Sequence, residues 1–293
     1  MPRILNMGSI NIDYVYTVPH FVKAGETLSA TSRQIFPGGK GLNQSIALAR
    51  AGGSVTHAGM IGSDGTALID LLNETSVDTG RIFICEVPTG HTVIQVNPGG
   101  ENCILLFPGA NQQLDEGFVD MALEGFSQGD ILVLQNEVSC VAYAIKAAKA
   151  KGMRIAFNPS PYGPEIIDYP LDLIDWWLLN EVEGQALTGK DDPEDMLTAM
   201  AKQYPSAVIV LTLGADGVLC CGNGKTLSHK SYKADAVDTT AAGDTFTGYF
   251  ISSIATGRKI DEALDLASRA ASISVSRQGA AVSIPQLEEV EKL

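Results

Sequence analysis

What most constrains this chain is an alternation in its second half, where short continuous apolar runs take turns with helix-like stretches. "DILVLQ" is followed by "AYAIKAAKAKG", "MRIAFNP" precedes "DWWLLNE" and "EGQALTG", and "AVIVLTLG" leads towards two long helical runs near the end. Strands alternating with helices pair in parallel, because each helix returns the chain to the same end of the sheet. A parallel sheet covered on both faces needs strands apolar on both sides, and the run at 208–213 meets that demand. The expected fold is therefore α/β, a doubly wound, mostly parallel sheet. Trp176 and Trp177 are neighbours in one such strand, so they point to opposite faces and pack in different layers.

The N-terminal third reads differently. "TLSATSRQIF" at 27–36, "GHTVIQVN" at 90–97 and "NCILLFP" at 102–108 alternate apolar with polar residues and are joined by Gly/Pro turns. This pattern predicts short antiparallel strands. Segments 10–36 and 82–109 are expected to form a small antiparallel sheet projecting from a single domain that spans 1–293. No composition break marks an independent second domain.

A net charge of −14 argues against a nucleic-acid partner, whose phosphate backbone is gripped by clustered Lys and Arg. The same field repels free nucleotides, so any phosphate site must be local, built from backbone N–H groups, a few side chains and a metal ion. No apolar run approaches the roughly 20 residues that span a bilayer, and the first residues do not read as a signal peptide, which predicts no membrane partner and a cytoplasmic location. The five cysteines form no CxxC pair, and the four histidines share no zinc spacing.

Asp244 opens an apolar helical run in "VDTTAAGDTFTGYF". A carboxylate there suits plain helix capping. The preceding Ala241, Ala242 and Gly243 support a second reading: small residues let a ligand approach, and converging N–H groups can hold an anion. An acid inside an anion hole suits phosphoryl transfer, with the acid as base towards an attacking hydroxyl.

"PGGKGLNQ" fails the P-loop pattern, since Lys40 is followed by Gly41. It reads either as a glycine-rich turn entering a helix over 42–52 or as a polyol cradle with Lys40 and Asn43 supplying polar groups. Asn11 and Asp13 in "GSINID" are two apart on a strand and share a face, where a carboxylate can accept from neighbouring hydroxyls. Asn180 and Glu183 in "LLNEVEG" have capping-box spacing, and at the mouth of a helix they also suit water-mediated contact with Mg²⁺ and phosphates. "TLGADG" at 212–217 fits a hairpin turn or a loop over a nucleotide.

Taken in order, "GSINID", "AGETLSA", "FPGGKGLNQSIALARAG", "FPGANQQL", "LQNE", "NPSP", "LLNEVEGQALTG", "TLGADGV" and "VDTTAAGDTFTGYF" resemble the ribokinase family of sugar and nucleoside kinases across nearly the whole chain. The resemblance implies an ATP-dependent kinase, with Asp244 as base and Ala241 to Gly243 as anion hole. It implies that Asn11, Asp13, Gly39, Lys40, Gly41, Asn43 and Glu137 hold the sugar. Asn180, Glu183, Thr212, Gly214 and Gly217 are implied to serve ATP and its Mg²⁺. A monovalent cation, K⁺, is implied beside Asp238, Thr240, Ser274, Arg277, Gly279 and Ser283, several of them through backbone carbonyls. The small sheet is implied to act as a lid and as the contact of a homodimer. The expected reaction is phosphorylation of the primary hydroxyl of ribose or a related pentose, with a nucleoside kinase or a non-catalytic sugar-binding regulator as the other readings.

Overall fold

A computed structural model describes residues 1–222 and 224–293. Among these the chain forms, in order, β1 (Ile4–Met7), β2 (Asn11–Thr17), β3 (Ser32–Gly38), β4 (Val55–Gly62), β5 (Asp78–Cys85), β6 (Gly90–Val96), β7 (Asn102–Phe107), β8 (Ile131–Gln135), β9 (Arg154–Asn158), β10 (Trp176–Asn180), β11 (Val208–Thr212), β12 (Val218–Gly222) and β13 (Lys225–His229). Nine of them build one sheet in the order β13-β12-β11-β10-β9-β8-β1-β4-β5. From β11 across to β5 every pairing is parallel, and β12 and β13 add an antiparallel edge.

Helices cover both faces, as the continuous apolar strands require. Trp176 packs in one core with Leu42, Ile46, Phe246 and Phe250, while Trp177 packs in the other with Phe118, Ile145, Met196 and Met200. The helix Lys40–Arg50, two residues earlier than expected, lies against the helix Ala242–Ala255. Gly248 permits that approach, since a Cβ there would sit 2.3 Å from the Cβ of Ala47. No helix among the described residues is long and apolar enough to cross a membrane.

The remaining strands form a separate four-stranded sheet in the order β3-β2-β6-β7. The sequence pattern predicts antiparallel pairing, which holds for β2 with β3 and for β6 with β7. The central pair, β2 with β6, is parallel instead. The physical reason is that β4 and β5 of the large sheet intervene, so β2 and β6 both set out from the large sheet in the same direction. Residues 82–85, expected in this small sheet, pair with β4 in the large one, and the strand expected over 27–36 is Ser32–Gly38.

Candidate active site

Because β1, β8, β9, β10 and β11 are parallel, their C-terminal ends share one edge of the sheet, and loops leaving such an edge are where ligands bind in open α/β folds. A cleft of about 210 Å³ opens there, lined among others by Lys40, Asn158, Asn180, Glu183, Thr212, Ala241, Gly243 and Asp244.

Asp244 occupies the third position of the helix Ala242–Ala255 and is buried. Its Oδ2 accepts from Asn43 Nδ2 at 3.1 Å and its Oδ1 from Gln44 Nε2 at 2.9 Å. Ala241, the residue before the helix, has φ +61°, a left-handed conformation that alanine adopts only at a cost, and no side chain caps the start. Helix geometry leaves the N–H groups of Gly243 and Asp244 without an intrahelical acceptor. A Cβ on Gly243 would meet nothing within 4 Å, so packing does not require the glycine and the space before it is open. The result is a set of backbone donors beside an oriented carboxylate.

On the side of the small sheet, Asp13 accepts from Thr92 Oγ1 at 2.6 Å, and burial pushes its pKa up, partly offset by that bond. Asn11 Oδ1 accepts from the buried Asn111 Nδ2 at 2.7 Å, which leaves the Asn11 amide nitrogen to donate. Glu137 accepts from Ser9 Oγ and from the Lys40 backbone N–H at 3.0 Å. Burial raises the Glu137 pKa against the pull of Lys40. Burial works against the Lys40 charge too, but Asp244, Glu137 and Glu183 outweigh it and hold the ammonium pKa up, which places that cation among three carboxylates. Gly39 has φ +90°, and a Cβ on Gly41 would come within 2.4 Å of the backbone at Gly8 and Ser9, so this turn admits only glycine. Asn43 Oδ1 is buried with no partner, an acceptor left over.

Towards the other end of the cleft, Asn180 and Glu183 form the capping box that their spacing predicts. Asn180 Oδ1 accepts from Val182 and Glu183 N–H at 2.8 and 3.1 Å, and Glu183 Oε2 accepts from the Asn180 N–H at 2.8 Å. Both also line the cleft, as does Thr212. "TLGADG" turns as a hairpin between β11 and β12. Gly214 stands in open space, whereas a Cβ on Gly217 would fall 2.0 Å from the His229 carbonyl oxygen, so packing against the chain at His229–Ser231 explains that glycine.

The two segments expected to hold a cation are brought together. Asp238 accepts from the N–H groups of Thr240 and Gly279, each at 2.9 Å, and Ser274 and Ser283 pair through their hydroxyls at 2.8 Å. Burial works to raise the Asp238 pKa, and its hydrogen bonds overcome that and hold it low. The Arg277 side chain turns to Glu289 in an ion pair, so only its backbone remains for a cation.

Sequence reasoning passed over Gln44, Asn111, Asn158 and Thr239, all of which touch the cleft or the residues beside it. One signal was present: Asn43, Gln44 and Ser45 are three successive polar residues in a helix whose neighbours are apolar, and all three are buried.

Over residues 1–287 the sequence matches the pfkB family carbohydrate kinases. It is 38% identical over 292 residues to the ribokinase of Haemophilus influenzae, covering 97% of this chain and 95% of that protein. The fold superposes on the ribokinase of Cryptococcus neoformans in complex with ADP with a TM-score of 0.88, at 33% identity, over 100% of this chain and 99% of the other. On the Arabidopsis thaliana ribokinase complexed with ribose and ATP, the TM-score is 0.86 at 30% identity, over 99% of this chain and 98% of the other.

Proposed function

The chain belongs to the pfkB family of carbohydrate kinases, and on that premise we propose that it transfers the γ-phosphoryl group of ATP to the primary hydroxyl of ribose or a closely related pentose. The observation that carries this reading is the start of the helix Ala242–Ala255, where an oriented carboxylate stands beside uncommitted backbone N–H groups. Asp244 takes the proton of the attacking hydroxyl while the N–H groups of Gly243 and Asp244 steady the transferred phosphoryl group, the Ala242 N–H being committed to the Thr239 carbonyl at 3.3 Å. Asn11, Asp13 and Glu137 hold the sugar: the Asn11 amide donates, and the carboxylates accept from hydroxyls. Lys40 lies close enough to Asp244, Glu137 and Glu183 to balance charge when phosphate arrives. The small sheet carries Asn11 and Asp13, so its movement over the cleft shuts water out.

Among the described residues no group of three His, Cys, Asp or Glu side chains could cage a metal ion. Asn180 and Glu183 would hold a nucleotide-bound Mg²⁺ through water, as suits this cation's reluctance to dehydrate. Such an ion would supply charge neutralisation at the phosphates. The Asp238 carboxylate and the Ser274 and Ser283 hydroxyls offer oxygen, a chemistry that fits K⁺, and a cation held there with backbone carbonyls of Thr240 and Gly279 would keep the neighbouring helix start in place. The exposed Ile35, Ile104, Leu105, Leu106 and Phe107 of the small sheet are what a second copy would cover in a homodimer. Free thiols fit a cytoplasmic protein.

The test is ADP release from ATP and Mg²⁺ with a panel of pentoses, hexoses and nucleosides. Turnover greatest with ribose is expected. Binding of ribose without ADP release would replace the kinase by a sugar-binding regulator, and preference for a nucleoside would replace the acceptor.

A further inference from the structure

We propose that Gln44 is a positioning residue for the base of phosphoryl transfer and that Gln135 locks it in its working orientation, resting on the reading of Asp244 as that base. Gln44 and Gln135 are fully buried, and Gln44 donates its Nε2 to Asp244 Oδ1 at 2.9 Å. A primary amide is nearly symmetrical in shape, so nothing in its packing distinguishes nitrogen from oxygen. Reversed, Gln44 would press a carbonyl oxygen against a buried carboxylate oxygen.

A chain of hydrogen bonds decides the orientation, and it begins at a group that can only accept. The backbone carbonyl of Gly41 accepts from Asn6 Nδ2 at 2.7 Å, which fixes the Asn6 amide and turns its Oδ1 towards Gln135. Gln135 Nε2 donates to that oxygen at 2.9 Å and to Gln44 Oε1 at 2.7 Å, so both of its N–H groups are committed. With its oxygen held by Gln135, Gln44 has only its nitrogen to offer Asp244. Asn6 is anchored a second time by donating to Ser45 Oγ at 2.8 Å, itself paired with His57 Nδ1 at 2.7 Å. Burial drives the His57 pKa down to about 4, so this end of the chain carries no charge at neutral pH.

The use of amides has a chemical consequence. A Lys or Arg touching Asp244 at this position would orient it but also strip its basicity, whereas a neutral donor fixes the plane of the carboxylate and leaves it able to take a proton. The neighbouring Asn43 also donates to Asp244, at Oδ2, but its own oxygen has no partner, so of the two donors only Gln44 is held at both ends of its amide.

The experiment compares Gln44→Met, Gln44→Glu, Gln135→Met and the double Met variant with Asp244→Asn, reading kcat, both KM values, the pH profile of kcat and melting temperature. Gln44→Met is expected to lose roughly 10- to 100-fold in kcat with KM for sugar and ATP within about threefold, as for a misplaced catalytic group. Its acidic limb shifts to higher pH, since a hydrogen bond to the charged form is gone. Gln44→Glu still accepts from Gln135 but sets a second carboxylate beside Asp244, so its limb shifts further upward, and it carries the test if the Met variant does not fold. The double variant falls no lower than Gln44→Met alone, because Gln135 acts only through Gln44. Unmoved acidic limbs in well-folded variants, or strictly additive losses, overturn the proposal. If Asp244→Asn abolishes turnover while Gln44→Met does not, this inference alone fails; if Asp244→Asn turns over normally, the base itself was misassigned.

Discussion

Two helix starts face the same cleft, and each carries an acid at its third position. In the helix Glu181–Thr188 that acid is Glu183, and it reaches back to the N–H of its own cap residue, Asn180, whose side chain accepts from the first turn. In the helix Ala242–Ala255 it is Asp244, which is turned away from its own start and held by Asn43 and Gln44 from another helix. The first start is complete without a ligand. The second forgoes a side-chain cap, commonly worth about 1 kcal/mol, and keeps an alanine in the left-handed region at a cost of roughly 1–2 kcal/mol. Position in the helix thus does not decide what an acid does. Its partners decide.

The sharpest way to break the comparison is Asp244→Asn. Asparagine keeps the size, can accept from Gln44, and can donate to Asn43 once that amide turns over its unpartnered oxygen. Folding should survive, and kcat should fall by a factor on the order of 10²–10⁴ with both affinities little changed. Melting temperature, affinities and kcat measured together decide it. Near-normal turnover in a folded variant would make the second start a cap like the first.

A smaller effect is expected from withdrawing K⁺. The start at Ala241 has no side-chain cap, and the segments that flank it are tied through Asp238 to the N–H groups of Thr240 and Gly279. A cation bound there, as proposed, would add to that tie, so replacing K⁺ by Na⁺ or by a bulky organic cation should lower kcat by at least about fivefold, a modest coupling energy. Melting under ATP-free conditions separates loss of structure from loss of rate. Equal rates in all three salts would leave the loops as a purely structural clasp.

The same contrast explains what could be read in advance. Asn180 and Glu183 were legible because a capping box is a local pattern, complete within four residues. The parallel sheet was legible because continuous apolar runs serve only a doubly covered strand. The parallel pairing of β2 with β6 was not, since it joins strands separated by two strands of the large sheet, and local alternation is silent about direction. Gln44, Gln135 and Asn111 were missed for a related reason: an amide in a sequence looks like a surface residue, and only long-range contacts make it a buried partner. Gly217 carried a glycine signal, and its close packing against the backbone of His229–Ser231 is enough to require a glycine there.

At the capped start the expected effect is one of stability. Asn180→Ala removes the acceptor for two N–H groups and should cost about 1 kcal/mol, a drop of roughly 2–4 °C in melting temperature. Because Asn180 also faces the proposed Mg²⁺ site, the KM for ATP should rise, while turnover at saturating ATP should stay within about threefold of the parent. A large fall in kcat at unchanged stability would give Asn180 a part in the chemistry and erase the difference between the two starts.

The smallest effect separates strain from packing at the other start. Ala241 has φ +61° and ψ 9°, and only the methyl group makes that conformation costly. Ala241→Gly removes the strain but also frees the unfolded chain, an opposing term of about 0.4–1 kcal/mol. The two nearly cancel, so stability should change by less than about 1 kcal/mol, in the stabilising direction if the strain dominates. What the methyl does contribute is restriction: glycine admits other entries into the helix, so the N–H groups of Gly243 and Asp244, the proposed phosphoryl donors, would point less reproducibly. A loss of a few-fold in kcat without loss of stability is therefore expected, on the order of 1 kcal/mol in the barrier. Chemical denaturation and saturating turnover on the same preparation test it. Destabilisation well beyond 1 kcal/mol would show that the methyl is held by its neighbours and that the left-handed turn stores nothing for catalysis.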